Sequence, residues 1–122
     1  MMSDTFMRLL PGDGSPSGMQ TSNLAQPEAF TTEDHTELDQ LYFATGDEGI
    51  LTGVWECAPC KEEIDSYPVH EMMTVISGSV TLSNKSGDSE TFTAGDVFFI
   101  PKGTQCTWHI TEKLRKFYMI AS

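Results

Sequence analysis

Tyr67, Glu71 and Cys106 are the side chains whose chemical types and spacing could form a reactive or metal-binding site. A carboxylate, a phenol and a thiol can bind iron or zinc, but three such ligands without an imidazole are an unusual set. A carboxylate made more basic by burial could instead transfer a proton. His70 and His109 do not add to this group. His70 directly precedes Glu71 and His109 directly follows Trp108, so each points to the opposite face of its strand from that neighbour. We therefore expect no cofactor, with a divalent metal at Glu71 as the alternative.

A second motif, Cys57-Ala-Pro-Cys60, has the C-x-x-C spacing found in redox and zinc sites. A thioredoxin-like site requires this motif at the start of a helix, and a zinc site requires a second pair of ligands. Neither context is present, so we expect Cys57 and Cys60 to be reduced thiols in a turn that react first with a thiol reagent. Cys106 is expected to be buried and protonated, because no Lys, Arg or helix terminus lies near it in sequence.

Short segments rich in β-branched and aromatic residues recur about every 8 to 12 residues after Leu41, separated by turn-forming residues. The predicted strands are Leu41–Ala44, Ile50–Cys57, Glu62–Ser66, Glu71–Ile76, Ser79–Asn84, Glu90–Thr93, Val97–Ile100, Gln105–Thr111 and Arg115–Ile120. We expect a hairpin turn at Gly78, and burial of both faces of the apolar run VFFI (97–100). Thr32–Gln40 predicts no more than a short capped helical turn. The pattern is typical of an all-β sandwich or barrel.

The charge and length of the chain limit the classes of partner. The 122 residues are enough for one domain with one core. Seven basic and 18 acidic residues give a net charge of −11, which disfavours nucleic acid and anionic membranes because both require a basic surface. No apolar run approaches the ~18 residues of a membrane-spanning helix, and the first residues lack a signal-peptide layout. We expect a cytoplasmic protein with no nucleic-acid or membrane partner.

The stretch GDVFFIPKGTQCTW carries Gly95, Pro101 and Gly103 at a spacing that resembles the second motif of the cupins, G-x5-P-x-G-x2-H-x3-N. Cupins are small barrels built as a double-sheet jelly roll. In this chain Cys106 stands where the motif has its histidine, and Ile110 stands where it has asparagine. The resemblance therefore covers the turns that shape the barrel and not the ligands.

The first cupin motif, G-x5-H-x-H-x3/4-E-x6-G, is matched at its end by Glu71 and Gly78. The histidines of that motif would fall within positions 64 to 67, which hold none. Glu71 is thus the one usual metal ligand present. The wider stretch 53–120 resembles the cupins grouped with ureidoglycine aminohydrolase in its G-x-W-E strand, its F-x-AGD-x-F-x-IP-x-G segment, its TW-x-x-TE segment and its final RK-x-Y.

This resemblance implies a jelly-roll barrel at residues 39–122, preceded by a loosely structured leader or arm at residues 1–38. The side chains expected to line the barrel as candidate ligand contacts are Tyr67, Glu71, Phe99, Cys106 and Trp108. We expect binding of a small, nitrogen-containing metabolite without the three-histidine metal site, and no catalytic residue can be assigned. A metal-dependent enzyme similar to ureidoglycine aminohydrolase, a metal-free catalyst using Glu71, and a non-catalytic dimerising module remain alternatives.

A homodimer is the expected assembly. The edge strands of an open jelly roll have unpaired donors and acceptors, which natural proteins cover or pair. Two-fold dimers are the commonest oligomers, and cupins commonly form them. The polar leader could order by lying along such an edge.

Overall fold

The computed structural model describes residues 6–12 and 18–122. Residues 1–5 and 13–17 of the predicted leader lie outside this description. The strands are β1 (Gln20–Thr21), β2 (Glu37–Ala44), β3 (Ile50–Cys57), β4 (Cys60–Ile64), β5 (His70–Ser83), β6 (Ser89–Thr93), β7 (Val97–Ile100) and β8 (Cys106–Ala121). The described residues contain no α-helix, which confirms the predicted all-β class. They also contain no helix of the length and hydropathy needed to cross a membrane.

The two longest strands, β5 and β8, pair with each other along most of their length and organise the fold. The second half of β8 pairs with β3, and β3 continues through β2 to β1. The first half of β8 pairs with β4. On the other side, the first half of β5 pairs with β7 and its second half pairs with β6. Each long strand therefore belongs to two sheet halves, which enclose one core.

Gly78 lies where these two halves meet, inside β5. Its φ of 84° is in the left-handed region, and a Cβ there would overlap the backbone carbonyl of Lys113 on β8. The register between β5 and β8 shifts on both sides of Ser77. The predicted hairpin at Gly78 is therefore wrong, because β5 continues through a bulge that bends it. The last two predicted strands, Gln105–Thr111 and Arg115–Ile120, are likewise parts of one continuous strand, β8.

The segment before the barrel also differs from its prediction. The predicted helical turn at Thr32–Gln40 is wrong, because β2 begins at Glu37 and pairs with β3. A 3-10 turn at Pro27–Ala29 precedes it. Gln20–Thr21 forms the short edge strand β1 beside β2. The proposed boundary between a leader (1–38) and the barrel (39–122) stays a prediction, although strand pairing already begins at Gln20.

Strand β7 shows why the expected burial of both faces of VFFI is wrong. Phe98 and Ile100 are buried, whereas Val97 and Phe99 are exposed. The strand is the outer neighbour of β5, so one of its faces meets the core and the other faces solvent. Phe98 stacks on Phe92 of β6 with ring centroids 4.1 Å apart. This contact joins the two halves of the fold at one end of the core.

Candidate functional site

A cavity of about 410 Å³ lies inside the barrel, between the inner faces of β2, β3, β4, β5 and β8. Alternation along each strand directs every second side chain into it. The lining residues are Ser22, Leu24, Ala25, Asp39, Leu41, Leu51, Trp55, Glu62, Ile64, Tyr67, Glu71, Trp108, Lys116, Tyr118 and Ile120. Most of these side chains are apolar or aromatic and a few are charged, which is the usual composition of a small-molecule site.

Lys116 and Glu71 form an ion pair at the wall of this cavity. The Lys116 ammonium donates to Glu71 Oε2 at 2.7 Å, and the Tyr67 hydroxyl donates to the other oxygen, Oε1, at 2.7 Å. All three residues are buried. Both oxygens of the carboxylate are therefore bonded, as a buried charge requires. Glu71 is not the lone carboxylate among apolar side chains that the sequence predicted.

The Lys116 ammonium is also held by two indole rings. Its nitrogen lies 4.9 Å from the ring centroid of Trp55 and 4.9 Å from that of Trp108. It also contacts the sulfur of Met73 at 2.9 Å. A cation over an indole face within about 6 Å is attracted by the ring's charge distribution. These contacts hold the Lys116 side chain against the two indoles.

The loop that carries Tyr67 is held by the Pro-x-Gly turn between β7 and β8. The Tyr67 backbone N–H donates to the Thr104 carbonyl at 2.8 Å, and the Gly103 N–H donates to the Tyr67 carbonyl at 2.8 Å. Gly103 has a φ of 92°, which favours glycine. The turn that resembles the cupin motif therefore positions a phenol for Glu71. Burial, followed by the neighbouring Glu71 charge, raises the pKa of Tyr67 far above its ordinary value, so the hydroxyl remains a donor.

Two further carboxylates, Asp39 and Glu62, line the cavity from β2 and β4. The Tyr118 hydroxyl donates to Asp39 Oδ1 at 2.8 Å. Burial is the main cause that raises the pKa of Asp39 and that of Glu62. Gly53 makes room for this arrangement, because a Cβ at that position would overlap the Tyr118 hydroxyl. The cavity therefore has acidic groups that are separate from the Lys116–Glu71 pair.

The arm before β2 completes one wall of the cavity through Glu37. This buried carboxylate accepts hydrogen bonds from the Ser22 hydroxyl at 2.6 Å and from the backbone N–H groups of Leu24 and Ala25 at 3.0 and 2.8 Å. It also accepts from the Trp55 indole N–H at 3.0 Å. One side chain thus joins the arm to an indole of the cavity wall.

The structure brings together only part of the predicted pocket. Tyr67, Glu71 and Trp108 line the cavity, as does Lys116, which sequence reasoning missed. The signal for Lys116 was its place on the apolar face of the alternating run LRKFYMI (114–120), where an inward lysine must find a partner. Phe99 requires a correction: its side chain is 55% exposed, because it lies on the outer face of β7.

Cys106 is buried, as expected, but it is absent from the lining of this cavity. Together with Phe99 it lines a second, more open cavity of about 520 Å³ near the β5–β6 turn. That cavity contains no buried ion pair among its described residues. We therefore take the barrel cavity, where the charged and aromatic groups converge, as the candidate site.

The two remaining cysteines also need a correction. Cys57 and Cys60 are buried, since they lie at the end of β3 and the start of β4 rather than in an exposed turn. Their sulfur atoms are 4.0 Å apart. The contact with Cys60, together with burial, raises the pKa of Cys57. The same contact lowers the pKa of Cys60. Which thiol reacts first stays a prediction, since all three cysteines are buried.

The donors at Glu71 fit hydrogen bonding better than metal binding. Within the described parts of the chain, no three His, Cys, Asp or Glu side chains are grouped so that they could hold a metal ion. The Lys116 ammonium already lies against Glu71 and would repel a second cation there. Burial also raises the pKa of Cys106, which disfavours the thiolate that metals bind.

The family model described as "EutQ-like cupin domain" matches residues 44–118, which is more than half of the 122 residues. The search of curated proteins found no match. The ureidoglycine aminohydrolase resemblance is not among these findings and stays a prediction.

Solved structures show the same fold. A protein of unknown function of the DUF861 family from Pseudomonas syringae pv. tomato is 28% identical, with a TM-score of 0.75. The match covers 84% of this chain and 44% of that chain, so this chain spans less than half the length of that relative. The EutQ protein of Clostridium difficile is 20% identical with a TM-score of 0.59, over 71% of this chain and 68% of that chain. A DUF861 family protein from Thermotoga maritima is 23% identical with a TM-score of 0.51, over 66% and 96% of the two chains.

Proposed function

This chain belongs to the family of EutQ-like cupin domains, and we propose that it binds a small, nitrogen-containing metabolite inside the barrel without a three-histidine metal site. The observation that carries the proposal is the cavity of about 410 Å³ in which Trp55, Trp108, Tyr67 and Tyr118 surround a few charged groups. Aromatic walls supply contact area, and a small number of placed polar groups supply orientation and specificity.

The hydrogen bonds that Glu71 already accepts favour a role of the cavity in binding over a role of Glu71 as a general base. A general base must lie within hydrogen-bond reach of the proton that it removes, and donors that are already bonded to it compete for that contact. Both oxygens of Glu71 already accept hydrogen bonds, from Lys116 and from Tyr67. The same two bonds argue against the alternative of a metal-dependent enzyme, because a metal at Glu71 would have to displace the Lys116 ammonium. Elemental analysis of untagged protein prepared without chelators tests that alternative, and near-stoichiometric metal would favour it.

The resemblance of residues 53–120 to the ureidoglycine aminohydrolase cupins supports a nitrogen-containing ligand. On the cavity wall, the carboxylates of Asp39 and Glu62 provide hydrogen-bond acceptors for the N–H groups of such a ligand. The cavity volume is at the lower end of the range of drug-sized sites, so a ligand of roughly ten heavy atoms is the size that we expect.

Intrinsic fluorescence provides a direct test, because the chain has two tryptophans and both line the cavity. A library of small amines, amides, alcohols and acids is titrated into the protein while the emission of Trp55 and Trp108 is followed. Leu51→Phe adds volume to the cavity wall and should weaken every true ligand, whereas Met119→Leu on the outer face should not. The proposal would be refuted if no compound of the library changed the emission and ligand-observed NMR also detected no binding.

A further inference from the structure

We infer that the ligand class of this cavity is a small organic cation, such as a protonated amine, with Asp39 and Glu62 as its counter-ions. This inference rests on the proposed function and narrows it. Three observations support it: which charges of the cavity already form ion pairs, how the carboxylates are placed relative to the indoles, and the cost of partly burying two carboxylates that form no ion pair.

The charged groups of the cavity do not sum to zero. Lys116 and Glu71 neutralise each other in a pair of 2.7 Å. The ion pairs of the described residues join Lys113 to Asp34, Arg115 to Glu56 and Lys116 to Glu71. None of them includes Asp39 or Glu62. Two acidic groups therefore line the cavity without a direct ion pair in the described part of the chain, and Lys116 acts on Asp39 only from a longer distance.

Lys116 is not free to bind an anionic ligand. Its ammonium is directed at Glu71, at the Met73 sulfur and at both indole rings. An anion in the cavity would also approach Asp39 and Glu62. Glu37 adds a third negative charge close to the same wall, since it accepts the Trp55 indole N–H. Like charges brought together in a partly desolvated cavity repel each other, so anions are disfavoured.

The strand register places each carboxylate that lacks an ion pair beside one of the indoles. Asp39 on β2 is directly opposite Trp55 on β3, and Glu62 on β4 is directly opposite Trp108 on β8. All four residues line the cavity. A carboxylate next to an aromatic face is the combination that binds organic cations, because both attract positive charge while the ring also excludes water. The cavity has this combination on two sides, although the Lys116 ammonium already lies 4.9 Å from the centroid of each ring. The attraction for a ligand cation therefore comes mainly from Asp39 and Glu62, whose charges are not offset by an ion pair.

Burial raises the pKa of Asp39 and that of Glu62, which means that their ionised forms are disfavoured in the empty cavity. Glu37 adds to this cost at both positions, and Glu28 adds to it at Glu62. A bound cation would offset the repulsion between these carboxylates and stabilise their ionised forms. A neutral or anionic ligand of the same shape would not.

Benzylamine, benzyl alcohol and benzoate share one ring and differ in charge, so they are the probes for this inference. Binding to the wild-type protein is measured by tryptophan fluorescence and calorimetry at about pH 8, which is well above the ordinary pKa of a carboxyl group and below that of an alkylamine. We expect benzylamine to bind about tenfold or more tightly than benzyl alcohol, and benzoate to bind most weakly. In the Asp39→Asn/Glu62→Gln double variant, the preference for the amine should fall to less than about threefold.

Glu63→Gln is the matched control, since this exposed neighbour of Glu62 points away from the cavity and carries the same charge. It should leave the preference for benzylamine unchanged. Equal affinity for the amine and the alcohol, or tighter binding of benzoate, would overturn the inference while the proposed function stands. Binding of none of the three probes would also overturn it, and the library titration then decides separately whether the cavity binds any small molecule. The wild-type comparison of the probes needs no variant to fold.

Discussion

The Lys116 ammonium and the Glu71 carboxylate lie 2.7 Å apart on the neighbouring strands β8 and β5, with side chains only 5% and 7% exposed. The two residues are 45 positions apart in the chain. A buried pair of this kind contributes little net stability compared with an apolar pair, but the loss of one member leaves the other charge buried without its partner. A substitution of either residue is therefore expected to destabilise the fold unless the charge of the other is removed as well.

Lys116→Met is expected to destabilise the fold by about 3–5 kcal/mol, because it leaves Glu71 buried without its counter-ion. Urea denaturation followed by circular dichroism measures the free energy of unfolding. Adding Glu71→Gln to this variant should restore at least about half of the loss, since no unpaired charge then remains. Lys113→Met, which removes a surface ion pair with Asp34, is the control and should cost less than about 1 kcal/mol. A loss at Lys116 as small as at Lys113 would contradict the prediction.

The pH dependence of stability should reflect Asp39 and Glu62. Their pKa values are raised in the folded protein, mainly by burial. For a carboxyl group of this kind, the folded state binds protons more readily than the unfolded state, so its contribution to stability improves as the pH falls through the raised pKa. We expect the Asp39→Asn/Glu62→Gln variant to be more stable than wild type near neutral pH, by less than about 1 kcal/mol for these half-buried groups. This advantage should shrink as the pH is lowered toward about 4.

Thermal unfolding over a pH series checks this expectation. The other charges near Asp39 are Glu37, which raises its pKa, and Lys116, which lowers it. Both are present in wild type and variant, so the difference between the two curves isolates the substituted groups. A variant that is less stable at all pH values would show that these carboxylates act as acceptors for the fold instead.

All three thiols are expected to react slowly with a chromogenic disulfide reagent in the native protein. Cys57, Cys60 and Cys106 are buried, and burial contributes to raising the pKa of Cys57 and of Cys106. The contact with Cys57 lowers the pKa of Cys60, so slow reaction of this thiol rests on its burial alone. In denaturant, three equivalents should react at once. Cys57→Ser and Cys60→Ser variants then show whether either thiol accounts for any rapid native phase. Fast labelling of a single cysteine in native protein would reveal an opening that the packing does not predict.

Glu37 should hold the arm against the barrel. Glu37→Ala removes the acceptor for four donors on Ser22, Leu24, Ala25 and Trp55, so we expect a loss of about 2–4 kcal/mol. Hydrogen exchange at the amides of residues 24 and 25 should rise more than exchange in β5. Glu33→Ala, at an exposed position in the same segment, is the control. Unchanged protection of the two amides would show that other contacts hold the arm.

The predicted homodimer has a candidate surface on the outer face of the barrel. Met72, Met119 and Phe99 are exposed and lie side by side across β8, β5 and β7, because Met72 is opposite both of the others in register. Met72→Glu should convert a dimer to a monomer near 13.5 kDa in light scattering at tens of micromolar. Leu41→Glu, at another exposed apolar position, serves as the control. A wild-type monomer under these conditions would contradict the expected assembly.

Local sequence patterns determined the class of fold and several of its turns. Segments rich in β-branched and aromatic residues, bounded by turn-forming residues, predict β3, β6 and β7 near their observed bounds, since strand propensity and turn chemistry act over a few residues. The same patterns could not show that the chain bends at Gly78 instead of turning back. The bend depends on the approach of Gly78 to Lys113, which is a contact between distant segments. Exposure of Phe99 likewise depends on β7 having the core on one face only.

The residues Tyr67 and Glu71 could be picked out from the sequence because a motif spacing marks them. The apolar face of residues 114–120 marks Lys116 as an inward lysine that needs a partner, but nothing within a few positions of it identifies Glu71 as that partner. Likewise, Asp39 and Glu62 have ordinary neighbours in sequence, and only the register of β2 with β3 and of β4 with β8 places them beside Trp55 and Trp108. Short-range pattern therefore determined the strands, whereas the pairing of charges inside the barrel was decided by tertiary structure, because electrostatic partners are chosen by distance in space.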